Sequence, residues 1–147
     1  MCGIAGIIKN NTITQIDKKK LSFMLKAIKH RGPDSSGTYI KNNIAIGMNR
    51  LAIIDINNGN QPIKDNNNII IFNGEIYNFE NLKKKYFSKE KFKTNTDTEV
   101  LLKGYNKFGI NFFKKCNGIF TFCIIDHNKN KVIIGRDPIG VKPLYLY

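Results

Sequence analysis

The chain has 147 residues, 41% hydrophobic and 11% aromatic, which suits one globular domain with a core of its own rather than a disordered chain. Lysine and arginine outnumber acidic residues 24 to 11, for a net charge of +13. The lysines fall in short clusters (Lys18 to Lys20, Lys83 to Lys85, Lys89/Lys91/Lys93) without interleaved aromatics, and arginine is scarce. The charge therefore reads as solvated surface, and a basic nucleic-acid-binding module ranks last among the functions considered.

Met1-Cys2-Gly3 opens the chain. Removal of the initiator methionine would leave Cys2 as residue one, with a thiol and a free α-amine on the same residue. Such an amine has a pKa of about 7.7–8.0, so on the order of a tenth of it is neutral at pH 7 and able to take the thiol's proton. Taken alone, the tripeptide is equally a small residue ahead of a strand. Residues 3–9 are apolar and β-branched and predict a central strand. From Asp17 to Lys29, Leu21, Met24, Leu25 and Ile28 recur at helical spacing opposite lysines, and His30-Arg31-Gly32-Pro33-Asp34 ends that helix. Strands are expected at Thr38 to Lys41 and Ile44 to Asn49 around an Asn42-Asn43 turn, with loop from Asn57 to Pro62.

Ile69 to Phe72 predicts a strand that runs into Asn73-Gly74-Glu75, followed by a short helix from Asn78 to Tyr86. A second amphipathic helix, from about Thr98 to Phe108, presents Leu101, Leu102, Tyr105 and Phe108 on one face. Ile119 to Asp126 and Val132 to Arg136 form a hairpin across Asn128-Lys129-Asn130. Pro143 to Tyr147 reads as a strand cut at its end, which points to a fragment or an early stop. No linker or repeat divides the chain, and strands with paired helices fit sheets packed face to face under helices. Cys2, Cys116 and Cys123 lack metal-ligand spacing. They are expected as reduced thiols of a cytoplasmic protein, Cys116 and Cys123 packing in the core. No apolar run is long enough to span a membrane, and no signal peptide is recognisable.

Three elements carry chemistry. A site for a zwitterionic amino acid needs a cation for the carboxylate and an anion for the amine. Arg50, at a strand end, offers a bidentate fork, with a surface salt bridge as the equal alternative. Asp97, ahead of a helix, offers a carboxylate, although helix N-capping is the stronger reading from physics alone. Asn73-Gly74 could supply a side-chain amide and a glycine N–H to an oxyanion, or be an ordinary turn.

Together these stretches resemble the glutaminase domain of glutamine-hydrolysing asparagine synthetases, which are class II, N-terminal nucleophile amidotransferases. The resemblance rests on Met1 to Gly6, His30 to Asp34, Arg50 to Asp55, Phe72 to Asn78, Thr96 to Glu99 and Gly135 to Asp137, in order over the whole chain. It implies an α+β fold, a four-layer αββα sandwich with two stacked antiparallel sheets, here incomplete. It assigns Cys2 as the nucleophile that forms a γ-glutamyl thioester, with its own α-amine as base and acid, and Asn73 and Gly74 as the oxyanion hole. Arg50 would clamp the substrate α-carboxylate, Leu51, Ala52, Ile53 and Ile54 would line the pocket through their backbone, and Asp97 and Glu75 would bind the amine and neighbouring groups. His30 to Asp34 and Arg136-Asp137 are expected to be architectural.

The implied activity is hydrolysis of L-glutamine to glutamate and ammonia, the supply half of ATP-dependent asparagine synthesis from aspartate. The implied partner is a synthetase domain or subunit, absent from residues 1–147, which would carry ATP and Mg; no metal or cofactor is expected in this chain. A homodimer stays open. The alternatives are the glutaminase part of an amidotransferase of amino sugar or nucleotide biosynthesis, and a catalytically idle remnant that binds glutamine or a partner.

Overall fold

The computed structural model describes residues 2–147. Its elements are, in chain order, β1 (Gly3–Ile8), α1 (Gln15–Ala27), β2 (Ser35–Lys41), β3 (Ile44–Arg50), β4 (Ile63–Asp65), β5 (Asn68–Ile76), α2 (Phe79–Phe87), α3 (Asp97–Phe108), β6 (Gly118–Asp126) and β7 (Lys131–Arg136). Short 3₁₀ turns follow α1 at Lys29–Arg31 and α3 at Gly109–Lys115. The strands form two fully antiparallel sheets, β1-β3-β2 and β4-β5-β6-β7.

Side-chain alternation sorts the strands into layers. Ile44, Ile46 and Met48 of β3 meet Ile69 and Ile71 of β5 and Cys123 and Ile125 of β6 between the sheets. The intervening residues face outward: Ala45 packs under Leu21 and Leu25 of α1, and Ile70, Phe72, Phe122 and Ile124 pack under α2 and α3. The result is the expected αββα order. Strands β5 and β6 are buried on both faces, so their sequences read as continuous apolar runs rather than alternating ones.

The helix starts have clear chemical causes. Thr14 caps α1, its Oγ1 accepting from the Asp17 N–H at 3.2 Å while the Asp17 carboxylate accepts from the Thr14 N–H at 2.9 Å. Lys9 Nζ joins that carboxylate at 2.8 Å, and with the Thr14 donors holds the Asp17 carboxyl far below the usual range. Leu21 and Leu25 are buried as expected, but Met24 is 40% exposed because α1 covers only β1 and β3.

Three expectations shift. Strand β2 begins at Ser35 rather than Thr38, recruited by pairing with β3 through Ser35↔Arg50. Residues 143–147 form no strand; Tyr145, Leu146 and Tyr147 are exposed, since β-branched and aromatic content makes a strand only where an edge is taken up. Cys123 is buried as expected, but Cys116 is only half-buried, packed against the core under α3. Burial pushes both thiols up to about 12, Cys116 further opposed by the charge of Asp97, so neither is reactive at neutral pH.

Candidate active site

Alternation decides which side chains meet at one end of the inter-sheet layer. Arg50 continues the inward series Ile44, Ile46, Met48 of β3, and Asn73 and Glu75 continue Ile69, Ile71 of β5. Cys2 precedes β1 in register with this layer and packs against the same cluster. Their ends border a cavity of about 90 Å³ lined by Cys2, Arg50, Asn73, Gly74, Glu75 and Asp97. Leu51, Ile53 and Ile54 line it too; Ala52 does not, because its N–H is turned to Asp34 Oδ2 at 2.7 Å.

The thiol is seated by backbone. Leu51 N–H donates to Cys2 Sγ at 3.4 Å, and the thiol reaches Leu51 O at 3.7 Å. Arg31 Nε donates to the Cys2 carbonyl at 3.2 Å, and Asp34 N–H donates to Arg50 O at 3.1 Å. The Arg31 to Asp34 turn, expected as architecture, thus holds both Cys2 and the end of β3. Removal of Met1 lies outside the described residues.

Arg50 is 4% exposed, and among the described residues it forms no salt bridge. Its fork is not free: Nη2 donates to Ile54 O and Asp55 O at 2.9 and 2.8 Å, and Nη1 to Ile56 O and Asn60 Oδ1 at 3.0 and 3.2 Å. The guanidinium shapes the 51–60 loop while keeping its charge against the cavity. Asp55 in turn accepts from the Asn95 N–H at 2.8 Å, which ties that loop to the segment before α3.

Asp97 is not the N-cap of α3. Thr96 is, its Oγ1 accepting from the Glu99 N–H at 3.2 Å. Glu99 is spent on the preceding loop, accepting from the Lys93 N–H at 3.0 Å and the Thr94 N–H at 2.6 Å. Asp97, the first helical residue, is thereby released to face the cavity. Its Oδ2 accepts from the Ile76 N–H at 3.0 Å and its Oδ1 from the Thr98 hydroxyl at 3.3 Å. Burial raises its carboxyl to about 6 against those donors, with the Glu75 charge adding to the rise.

The sign of this shift gives a test. The folded state holds this proton more tightly than the unfolded state, so the contribution of Asp97 to stability is most favourable below the ordinary 3.8 and is lost as pH rises through about 6. Asp97→Asn is therefore expected to stabilise the chain by about 2 kcal/mol at pH 8 and to lose that advantage by pH 4. Thermal melts of both proteins at the two pH values check this; a gap that does not grow with pH sinks it.

Asn73 is buried, and its Oδ1 has no partner among the described residues, as is true of Thr121 Oγ1 on the residue paired with it in β6. Gly74 adopts φ +155°, and a Cβ there would run into the carbonyl oxygen of Ile119 and the Cα of Phe120. Sequence reading missed Gln61, Thr96, Thr98 and Lys142, all of which line the cavity. Lys142 is delivered by a turn around Asp137, whose carboxylate accepts from the N–H groups of Phe120, Val141 and Lys142 at 3.2, 3.0 and 3.1 Å. Burial works against that charge, but the N–H donors hold the Asp137 carboxyl below the usual range. Among the described residues no cluster of three or more His, Cys, Asp or Glu could hold a metal ion, and no helix is long and apolar enough to cross a membrane.

An αββα sandwich with a cysteine thiol at the leading end of its first strand, opening between the sheets, is consistent with an N-terminal nucleophile hydrolase. The chain belongs to the glutamine amidotransferase domain family, whose sequence profile matches residues 1–147. A Methanocaldococcus jannaschii relative is 42% identical over 168 aligned positions, covering 100% of this chain and 32% of that protein. Asparagine synthetase 1 (glutamine-hydrolyzing) of Bacillus subtilis is 41% identical, covering 99% of this chain and 24% of its own length. Asparagine synthetase B (glutamine-hydrolyzing) of Escherichia coli is 36% identical, with 99% and 27% covered. The chain thus spans about a quarter to a third of the length of these curated relatives.

Proposed function

We propose that the cavity hydrolyses L-glutamine to glutamate and ammonia, with Cys2 as nucleophile once Met1 is removed. The observation that carries this reading is the convergence of Cys2, Asn73, Gly74, Asp97, Glu75 and Arg50 on one cavity in a glutamine amidotransferase domain. Cys2 Sγ attacks the side-chain amide carbon, and the thiol proton passes to the α-amine of the same residue. The carbonyl electrons move onto oxygen, where Asn73 Nδ2 and the Gly74 N–H stabilise the charge. The oxyanion then collapses as the α-ammonium returns its proton to the amide nitrogen, and the C–N bond breaks with release of ammonia. Water attacks the γ-glutamyl thioester by the reverse proton route, releasing glutamate and the thiol.

Asp97 and Glu75 recognise the substrate's α-ammonium group. Arg50 attracts the α-carboxylate through its charge rather than through a free bidentate fork, since four N–H groups already hold the loop. Leu51, Ile53 and Ile54 enclose the aliphatic chain. The names of the relatives, glutamine-hydrolyzing asparagine synthetases, support a further step in which the ammonia serves asparagine synthesis; a synthetase domain or subunit using ATP and Mg in the cytoplasm completes this proposal.

The test is release of glutamate and ammonia from glutamine by the purified chain, with intact mass showing loss of Met1. Stoichiometric release is expected. A folded, Met1-free chain that binds glutamine but releases nothing would replace this reading with that of an idle binding domain.

A further inference from the structure

Gln61 reaches the cavity wall from the loop shaped by Arg50, and its amide can sit only one way round. The Phe72 N–H, which can only donate, is bound by Gln61 Oε1 at 2.7 Å. Nε2 therefore faces Thr98 Oγ1 and donates to it at 3.4 Å. A hydroxyl carries one proton, so with its oxygen accepting from Gln61, Thr98 turns that proton to Asp97 Oδ1. The Ile76 N–H fixes the other carboxylate oxygen. All three side chains in this relay are more than nine-tenths buried, so bulk water does not compete for its donors.

We propose that Gln61 is a positioning residue of this site: its amide sets the direction of the Thr98 hydroxyl, and the hydroxyl holds the Asp97 carboxylate where it receives the substrate's ammonium group. The inference rests on the reading of Asp97 as that group's partner. The other charged or titratable groups around Asp97 do not replace the relay. Glu75 repels the charge, Cys116 lies within its field, Arg50 and Lys142 line the cavity, and Glu99 is committed to Lys93 and Thr94.

Two variants separate this role from mere packing. Gln61→Glu keeps the shape and the acceptor for Phe72 N–H but puts a second carboxylate oxygen where the donor was, drawing the Thr98 proton away from Asp97. Thr98→Val removes the hydroxyl at similar size. Both are compared with wild type, with thermal melts confirming folding, by carbon NMR titration of the Asp97 carboxyl and by steady-state kinetics with glutamine. In both variants the carboxyl is expected to titrate about one pH unit higher, and KM to rise about tenfold while kcat stays within about threefold. Adding Gln61→Glu to Thr98→Val is expected to change KM little further, because both act through the same hydroxyl.

An unchanged Asp97 titration in Gln61→Glu would overturn the proposal, and the titration needs no turnover to decide this. So would an unchanged KM in Gln61→Glu alongside a raised KM in Asp97→Asn. If Asp97→Asn leaves KM unchanged, the assignment of Asp97 falls and the proposal falls with it.

Discussion

Replacing Cys2 by alanine is expected to lower glutamine hydrolysis by about 10⁴-fold or more while leaving the fold intact. The thiol contributes little to packing: Cys2 is half-buried at the rim of the inter-sheet cluster, and its contacts to the Leu51 backbone are long sulfur hydrogen bonds at 3.4 and 3.7 Å. Losing Sγ should cost about 1 kcal/mol and shift the melting temperature by only a few degrees. Glutamine binding, measured by calorimetry, should survive, because Asp97, Glu75 and Arg50 are untouched. A chain with one extra, unremoved residue ahead of Cys2 should be as inactive as Cys2→Ala, since the α-amine would be tied up in a peptide bond. A rate within tenfold of wild type in either protein would mean that another residue supplies the nucleophile or the base.

Gly74→Ala is expected to be the most destabilising single-methyl change at the site. The added Cβ would occupy the place of the Ile119 carbonyl and the Phe120 backbone, which belong to the central strand β6 and cannot swing aside. Overpacking against backbone together with the unfavourable φ should cost about 3 kcal/mol or more, roughly a 10 °C drop in melting temperature. Gly109→Ala provides the control: its φ is +63°, but nothing lies within 4 Å of the added carbon. That change should cost about 2 kcal/mol, the conformational part alone. Equal losses from the two substitutions would show that the close contact between β5 and β6 is looser than the ladder implies.

Much of the site was legible because it lies at strand ends whose neighbours carry a strong apolar pattern. In the structure the inward series Ile44, Ile46, Met48 continues to Arg50, and Ile69, Ile71 to Asn73. The sequence could not show which series of β5 faces inward, because Ile70 and Phe72 are as apolar as Ile69 and Ile71. Asp97 was found for an incomplete reason. Its position before a helix suggested a cap, and only the structure shows that Thr96 takes the cap and Glu99 the loop, leaving Asp97 for the cavity. Gln61 escaped notice because its partner is distant in sequence, a hydroxyl 37 residues away, and the contact of Arg31 with a carbonyl 29 residues away was invisible for the same reason. The loop contacts of the Arg50 guanidinium were not legible for a related reason. Four nearby acceptors had no mark in the sequence, since three of them are backbone carbonyls.

The shared alternation of β3 and β5 bears on how this domain can change over evolutionary time. A single inserted residue in the middle of β5 would turn Asn73 toward the helices and Phe72 toward the other sheet, ejecting core and chemistry in the same event. Single-residue insertions and deletions within these strands are therefore closed routes, with no intermediate that keeps half of the trait. The hairpin tips at Asn42-Asn43 and His127 to Asn130 lie at the far end, where an added residue is absorbed by the turn. Length variation among descendants of such a domain should consequently be polarised along the strand axis, frozen at the cavity end and free at the other.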